Sequence, residues 1–103
     1  MDEKKLFDVK ITILKKTEVE EIHKEYAKDG EPLICAKGNV GDEFISINAE
    51  KPEGICAGAW SGLQPKVKTI ASGENNIHVK KDGVAIHSCN DGLHPVIFKL
   101  ERI

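Results

Sequence analysis

Three cysteines and one histidine are the residues best suited to chemistry in this 103-residue chain. Cys35, Cys56 and Cys89 supply thiols, and His87 lies two residues before Cys89. Residues two apart on a strand project from one face, so His87 and Cys89 could share a site. Zinc and other transition metals bind three or four such donors, although no C-x-x-C or H-x-x-x-H spacing occurs here. The set Cys35, Cys56, Cys89 and His87 is therefore a candidate metal site.

The same residues allow two other interpretations. Cys56 lies near a predicted helix start, where the helix dipole and free N–H groups stabilise a thiolate, so it could act as a nucleophile with His87 as its base. The sequence identifies no third group that would orient this pair. Alternatively, all three cysteines could pack in the core beside Trp60 and Phe98, because a free cysteine is often a small buried hydrophobe. The sequence leaves these interpretations open.

Three further residues are candidate ligand contacts. Trp60 has helical spacing from Cys56 and could line a site beside a thiol pocket, although a position in the core is the simpler expectation. Asp91 lies in an Asn-Asp-Gly turn, where its side chain can also bond the local backbone, and His94 follows that turn. The chain has no phosphate-binding loop and no common hydrolase motif. Nucleotide binding therefore has no support.

Two helices are predicted from apolar spacing and capping residues. Thr17 and Glu20 form a T-x-x-E capping box, and the residues after it place an apolar stripe on one helix face, made of Val19, Ile22 and Tyr26. A second, bent helix in two parts is predicted over residues 56–72, with Pro65 beginning its second part.

Alternation of apolar and polar residues predicts strands at residues 6–16, 43–48, 77–80, 84–89 and 95–102. Asp82-Gly83 lies between two of these strands and is typical of a tight hairpin turn. The order of elements predicts an α+β fold, in which two helical segments pack on one face of a mostly antiparallel sheet of about four or five strands.

The composition is that of an ordinary globular protein, with 40% hydrophobic and 31% charged residues. We expect one domain spanning residues 1–103, because a chain of this length accommodates a single core. Opposite charges are interleaved to a net charge of −2, which gives no basis for nucleic-acid binding. No signal-peptide core and no run of roughly 18 apolar residues occurs, so we expect no membrane association and a cytoplasmic location, where thiols stay reduced.

Several segments of the chain are distinctive in sequence. They are the region of Cys35, together with residues 9–13 (VKITI), 41–44 (GDEF), 52–60 (PEGICAGAW) and 89–101 (CNDGLHPVIFKLE). Together they resemble a family of small, uncharacterised, cysteine-containing proteins found mainly in anaerobic bacteria and archaea. The resemblance covers nearly the whole chain and matches Cys35, Cys56 and Cys89 to the three cysteine positions of that family. This chain has Ala36 where the family often has proline, and His94 where it often has arginine.

The resemblance implies no reaction, so the functional expectation rests on the residues. We expect a small non-enzymatic module that binds a metal ion, such as zinc, or a small ligand through a cysteine-lined pocket, in support of another protein. The alternatives are a small enzyme with Cys56 as its nucleophile and a structural or interaction domain. An exposed terminal strand could also pair in a homodimer.

Overall fold

The computed structural model describes residues 5–103 and has the predicted α+β fold. The elements follow in the order β1 (Val9–Lys16), α1 (Glu20–Tyr26), β2 (Glu43–Ser46), α2 (Ala57–Ala71), β3 (Val84–Ser88) and β4 (Val96–Arg102). The strands form one antiparallel sheet in the order β2-β1-β4-β3. The two longest strands, β1 and β4, thus lie at its centre.

One face of the sheet carries the hydrophobic core. The registers Ile11↔Leu100 and Ile13↔Phe98 place apolar side chains of β1 and β4 side by side, and all four are buried. Their neighbours in sequence point to the other face, where Lys10 pairs with Glu43 and Glu101. The period of two that predicts these strands therefore separates a core face from a charged face.

Helix α2 covers the core face and contacts β1, β3 and β4. Leu63, Val67 and Ile70 recur along one side of the helix and have no exposed surface. The structure has a single helix over Ala57–Ala71 where two parts are predicted, and Pro65 lies inside it. Neither helix among residues 5–103 has the length and apolar composition needed to cross a membrane.

Helix α1 differs from its prediction in both its start and its packing. Its N-cap is Val19, and no side chain caps it. The Thr17 N–H instead donates to the Pro95 carbonyl and prolongs the pairing of β1 with β4, so Thr17 belongs to the strand side of the junction. The predicted buried stripe is also wrong, because Ile22 is 52% exposed and Tyr26 is 71% exposed. The core face is thus covered by α2 rather than by both helices.

The predicted strand at residues 77–80 is absent from the described structure, where this segment forms turns. The Asn76 side chain accepts the His78 N–H at 3.0 Å, and the Asn76 carbonyl accepts the Val79 N–H at 3.2 Å. These local bonds replace a strand ladder, because an asparagine side chain can bond the backbone two residues on. Ile77 is consequently 90% exposed.

Arg102 ties the end of the sheet to the end of α2. Its guanidinium donates to the carbonyls of Ile70 and Glu74 at 3.1 Å, and to the Asn75 side chain at 2.7 Å. The same group lies 5.5 Å from the centre of the Phe7 ring. The Ile70 carbonyl lies in the last turn of α2 and also accepts the Gly73 N–H at 3.2 Å, whereas Glu74 and Asn75 follow the helix. The guanidinium therefore joins the end of α2 to the segment after it, where the helix dipole favours a cation.

We predict that Arg102→Ala lowers the free energy of unfolding by about 2 kcal/mol, because several charge-assisted hydrogen bonds are lost together. Urea unfolding followed by circular dichroism measures the change. The exposed Lys81 provides the control, since Lys81→Ala removes one cation just before the start of β3, which pairs with the end of β4 that carries Arg102. Equal stability of the two variants would contradict the role given to Arg102.

Candidate functional site

A large open pocket lies where the segment after α1, the start of α2 and the β3–β4 connection meet, with a volume of about 900 Å³. All three cysteines line it, although they come from segments far apart in the chain. Each is a free thiol of intermediate exposure. The fold therefore brings the three cysteines to one pocket.

The interior of the pocket is apolar. Side chains of the sheet and of the segment before α2 provide this surface: Ile13, Phe44, Ile55, Val96 and Phe98. All except Phe44 are buried members of the core, so the pocket opens directly onto it. A pocket of this size with an apolar interior and a few polar groups is typical of small-molecule sites.

Cys56 has the most polarised environment of the three thiols. It is the N-cap residue of α2, and the N–H groups of Ala59 and Gly58 lower the pKa of its thiol, Ala59 more strongly. Burial opposes this shift, whereas the Lys37 ammonium, 3.8 Å from Sγ, adds to it. No N–H group forms a full hydrogen-bonded cap on Sγ, so the helix start acts through its field more than through one bond. The thiolate form of Cys56 is therefore favoured relative to that of an ordinary thiol.

The other two thiols are held differently. Cys89 Sγ lies 3.3 Å from the Val96 N–H, and the Cys89 N–H donates to the Val96 carbonyl. Cys89 is thus fixed by the end of the β3–β4 pairing. Cys35 lies in a segment without helix or strand, and its Sγ is 3.9 Å from the Lys37 carbonyl oxygen. Lys37 therefore contacts Cys35 through its backbone and Cys56 through its side chain.

A histidine between two carboxylates also lines the pocket. His94 Nδ1 lies 2.6 Å from Asp91 Oδ2, and His94 Nε2 lies 3.7 Å from Glu31 Oε2. The Nδ1 contact lacks the alignment of a hydrogen bond, so it is an electrostatic contact at close range. Asp91 also accepts the Leu93 N–H at 2.9 Å, which makes it a turn residue as well as a wall residue.

The predicted site residues divide between the pocket and its surroundings. Asp91 and His94 line the pocket together with the cysteines, whereas His87 and Trp60 do not. His87 lies opposite Phe98 on β3, and Trp60 packs against the core. Within residues 5–103, no group of three or more His, Cys, Asp or Glu side chains is arranged to hold a metal ion. The four-ligand set that includes His87 is thus not assembled in this structure.

Sequence reasoning missed Lys37 and Glu31, the two charged residues that the segment after α1 brings to the pocket. Neither belongs to a motif, and each lies in a stretch without periodicity. Proximity of Lys37 to Cys35 was the available signal, because a lysine near a thiol stabilises its thiolate.

Gly62 allows α2 to approach the β3–β4 connection closely. A Cβ at this position would lie 2.8 Å from Asn90 Oδ1 and 3.1 Å from the Ser88 carbonyl oxygen. Ser88 and Asn90 flank Cys89, so this contact sets the distance between Cys89 and the helix that follows Cys56. A larger residue at position 62 would have to displace the β3–β4 connection.

We predict that Gly62→Ala lowers the free energy of unfolding by about 1–3 kcal/mol, as overpacking does in a tight core. Gly58→Ala in the same helix is the matched control, since its Cβ would meet only Cys56 Sγ, at 3.8 Å. The control should be neutral or stabilise by up to about 1 kcal/mol through helix propensity. Urea unfolding of both variants measures the difference, and a neutral Gly62→Ala would contradict the close packing.

Alkylation by iodoacetamide should show the lowered pKa of Cys56. Only the thiolate reacts, so the alkylation rate of Cys56 should reach half its maximum at a lower pH than that of an ordinary thiol. In Lys37→Gln this midpoint should move to higher pH, because the ammonium that favours the thiolate is gone. The control is Lys51→Gln, an exposed lysine outside the pocket. Peptide mapping across a pH series gives the midpoints, and an unshifted Cys56 would contradict this account.

Comparison of the chain with protein-family models, curated proteins and solved structures finds no match. The resemblance drawn from the three cysteine segments stays a prediction.

Proposed function

We propose that this protein binds a small, mostly apolar organic molecule in the cysteine-lined pocket. The observation that carries the proposal is the convergence of Cys35, Cys56 and Cys89 on one apolar cavity of about 900 Å³. The pocket is open to solvent and leaves apolar surface uncovered, where burial would stabilise the fold more. An open apolar pocket bordered by thiols is better explained by a ligand than by stability.

The chemistry of the walls indicates how the ligand is oriented. Two groups of polar side chains line the pocket: the Cys56 thiol beside the Lys37 ammonium, and His94 beside Asp91 and Glu31. The apolar part of the ligand packs against residues such as Phe44 and Phe98. A polar or electrophilic group of the ligand then faces Cys56. Apolar contact supplies affinity, and the polar groups supply specificity.

A small organic ligand is favoured over a metal ion. A transition metal needs three or four converging donors, and the described residues 5–103 contain no such group. His87, the nitrogen donor predicted from the sequence, is not among the pocket residues. The thiols act in this proposal as contacts for an organic ligand.

The uncharged fluorophore N-phenylnaphthylamine tests the proposal, because its emission rises in apolar surroundings. We expect saturable binding of one molecule to the reduced protein. Ala36→Trp should weaken binding at least tenfold, because Ala36 is exposed and lines the pocket, so the indole ring can fill it without disturbing the core. Ala57→Trp is the control, since Ala57 is also exposed but does not line the pocket.

Each outcome of this titration bears on the proposal. Binding that is lost in Ala36→Trp and kept in Ala57→Trp supports a ligand site in the pocket. Binding that both variants keep, or no saturable binding to the native protein, contradicts it. Circular dichroism of each variant shows that the fold is retained.

A further inference from the structure

We propose that Cys56 and Cys35 form a redox-active pair, in which Cys56 reduces an organic hydroperoxide held in the pocket and Cys35 then closes an intramolecular disulfide. This inference rests on the proposed function, because the apolar pocket would hold the organic part of the peroxide. It adds a substrate class and a reaction to the same site.

The placement of the two thiols around Lys37 carries the assignment. Lys37 Nζ lies 3.8 Å from Cys56 Sγ, and the Lys37 carbonyl oxygen lies 3.9 Å from Cys35 Sγ. Both thiols thus contact the same residue, Lys37, and both line the pocket. Cys56 also precedes the first turn of a 15-residue helix, whose N–H groups favour negative charge on sulfur. The attacking thiol of a pair is the one with the greater thiolate character.

Cys35 is a better resolving partner than Cys89. Disulfide closure requires one sulfur to move into bonding distance of the other with defined Cβ geometry. Cys89 Sγ accepts from the Val96 N–H at the end of the β3–β4 pairing, so movement of Cys89 would disturb that pairing. Cys35 lies outside any helix or strand, and the contact of its Sγ with the Lys37 carbonyl oxygen is long, at 3.9 Å. Cys35 can therefore move at lower cost.

The reaction balances with a hydroperoxide as oxidant. The Cys56 thiolate attacks the terminal peroxide oxygen, the O–O bond breaks, and Cys56 becomes a sulfenic acid while an alkoxide leaves. The Lys37 ammonium, next to Cys56 Sγ, protonates the alkoxide to the alcohol and regains its proton from water. The Cys35 thiol then attacks the sulfenic sulfur, which forms the disulfide and releases water. A dithiol reductant restores both thiols by exchange.

The pocket favours an organic peroxide over hydrogen peroxide. Ile13, Phe44 and Phe98 offer apolar surface that a hydrogen peroxide molecule cannot use. An alkyl or aryl group would gain favourable free energy from burial against this surface. The preference should therefore appear as faster oxidation by the bulkier peroxide at equal concentration.

One equivalent of cumene hydroperoxide added to the reduced protein under anaerobic conditions tests the inference. Remaining thiols are capped with N-ethylmaleimide, and intact-mass analysis and peptide mapping identify the products. We expect a Cys35–Cys56 disulfide with Cys89 left free, formed at least about tenfold faster than oxidation of free cysteine at neutral pH, because free cysteine is mostly protonated there. Hydrogen peroxide should react more slowly.

Single substitutions separate the two roles. Cys56→Ser should abolish the fast reaction, whereas Cys35→Ser should leave it intact and stop at a sulfenic acid that dimedone traps. Cys89→Ser should still form the Cys35–Cys56 disulfide. A Cys56–Cys89 disulfide, or a rate no greater than that of free cysteine, would overturn the proposal. If N-phenylnaphthylamine still binds in that case, the ligand pocket stands and only the redox chemistry fails.

Discussion

The packing of α2 against the sheet is the interaction on which the rest of the structure depends. Its apolar side, represented by Leu63, Val67 and Ile70, is fully buried, and Gly62 brings the helix against the backbone of the β3–β4 connection. This one contact closes the core and sets the position of Cys56 beside the wall that carries Cys89. Because no second helix buries its apolar residues on this face among residues 5–103, part of the core face stays open as the pocket.

The same packing places chemically different groups around the pocket. The start of α2 points its free N–H groups toward Cys56, and the segment after α1 adds the Lys37 ammonium, so negative charge is favoured on the Cys56 sulfur. His94, between Asp91 and Glu31, also lines the pocket. A ligand of the proposed kind would thus meet a thiol that favours its charged form, an apolar surface and a histidine with two acidic neighbours. These chemical differences would orient a small molecule.

The sequence predicts the sheet well where burial dominates and poorly where local bonding competes. Strands β1 and β4 follow the apolar alternation because their core-facing side chains are buried. The segment at 77–80 has similar alternation, but the Asn76 side chain accepts a hydrogen bond from its backbone, and the segment forms turns. Thr17 and Glu20 match a capping box, yet the pairing of Thr17 with Pro95 takes the residue into the sheet. Neither competition can be read from spacing, since each depends on partners distant in the sequence or on a single side chain.

The cysteine, aspartate and histidine residues of the pocket could be predicted from the sequence, but which of the predicted residues lie together could be predicted only in part. Cys35, Cys56, Cys89, Asp91 and His94 all line the pocket, whereas His87 does not. β3 ends at Ser88, so Cys89 lies beyond the strand that carries His87, and their spacing in sequence does not bring them to the same cavity. The most direct test of a single cysteine-lined pocket is nuclear magnetic resonance of protein labelled at the cysteine Cβ atoms during titration with N-phenylnaphthylamine. We expect all three cysteine signals to shift together with one dissociation constant. Signals that stay still, or a response from one cysteine alone, would contradict a single cysteine-lined pocket.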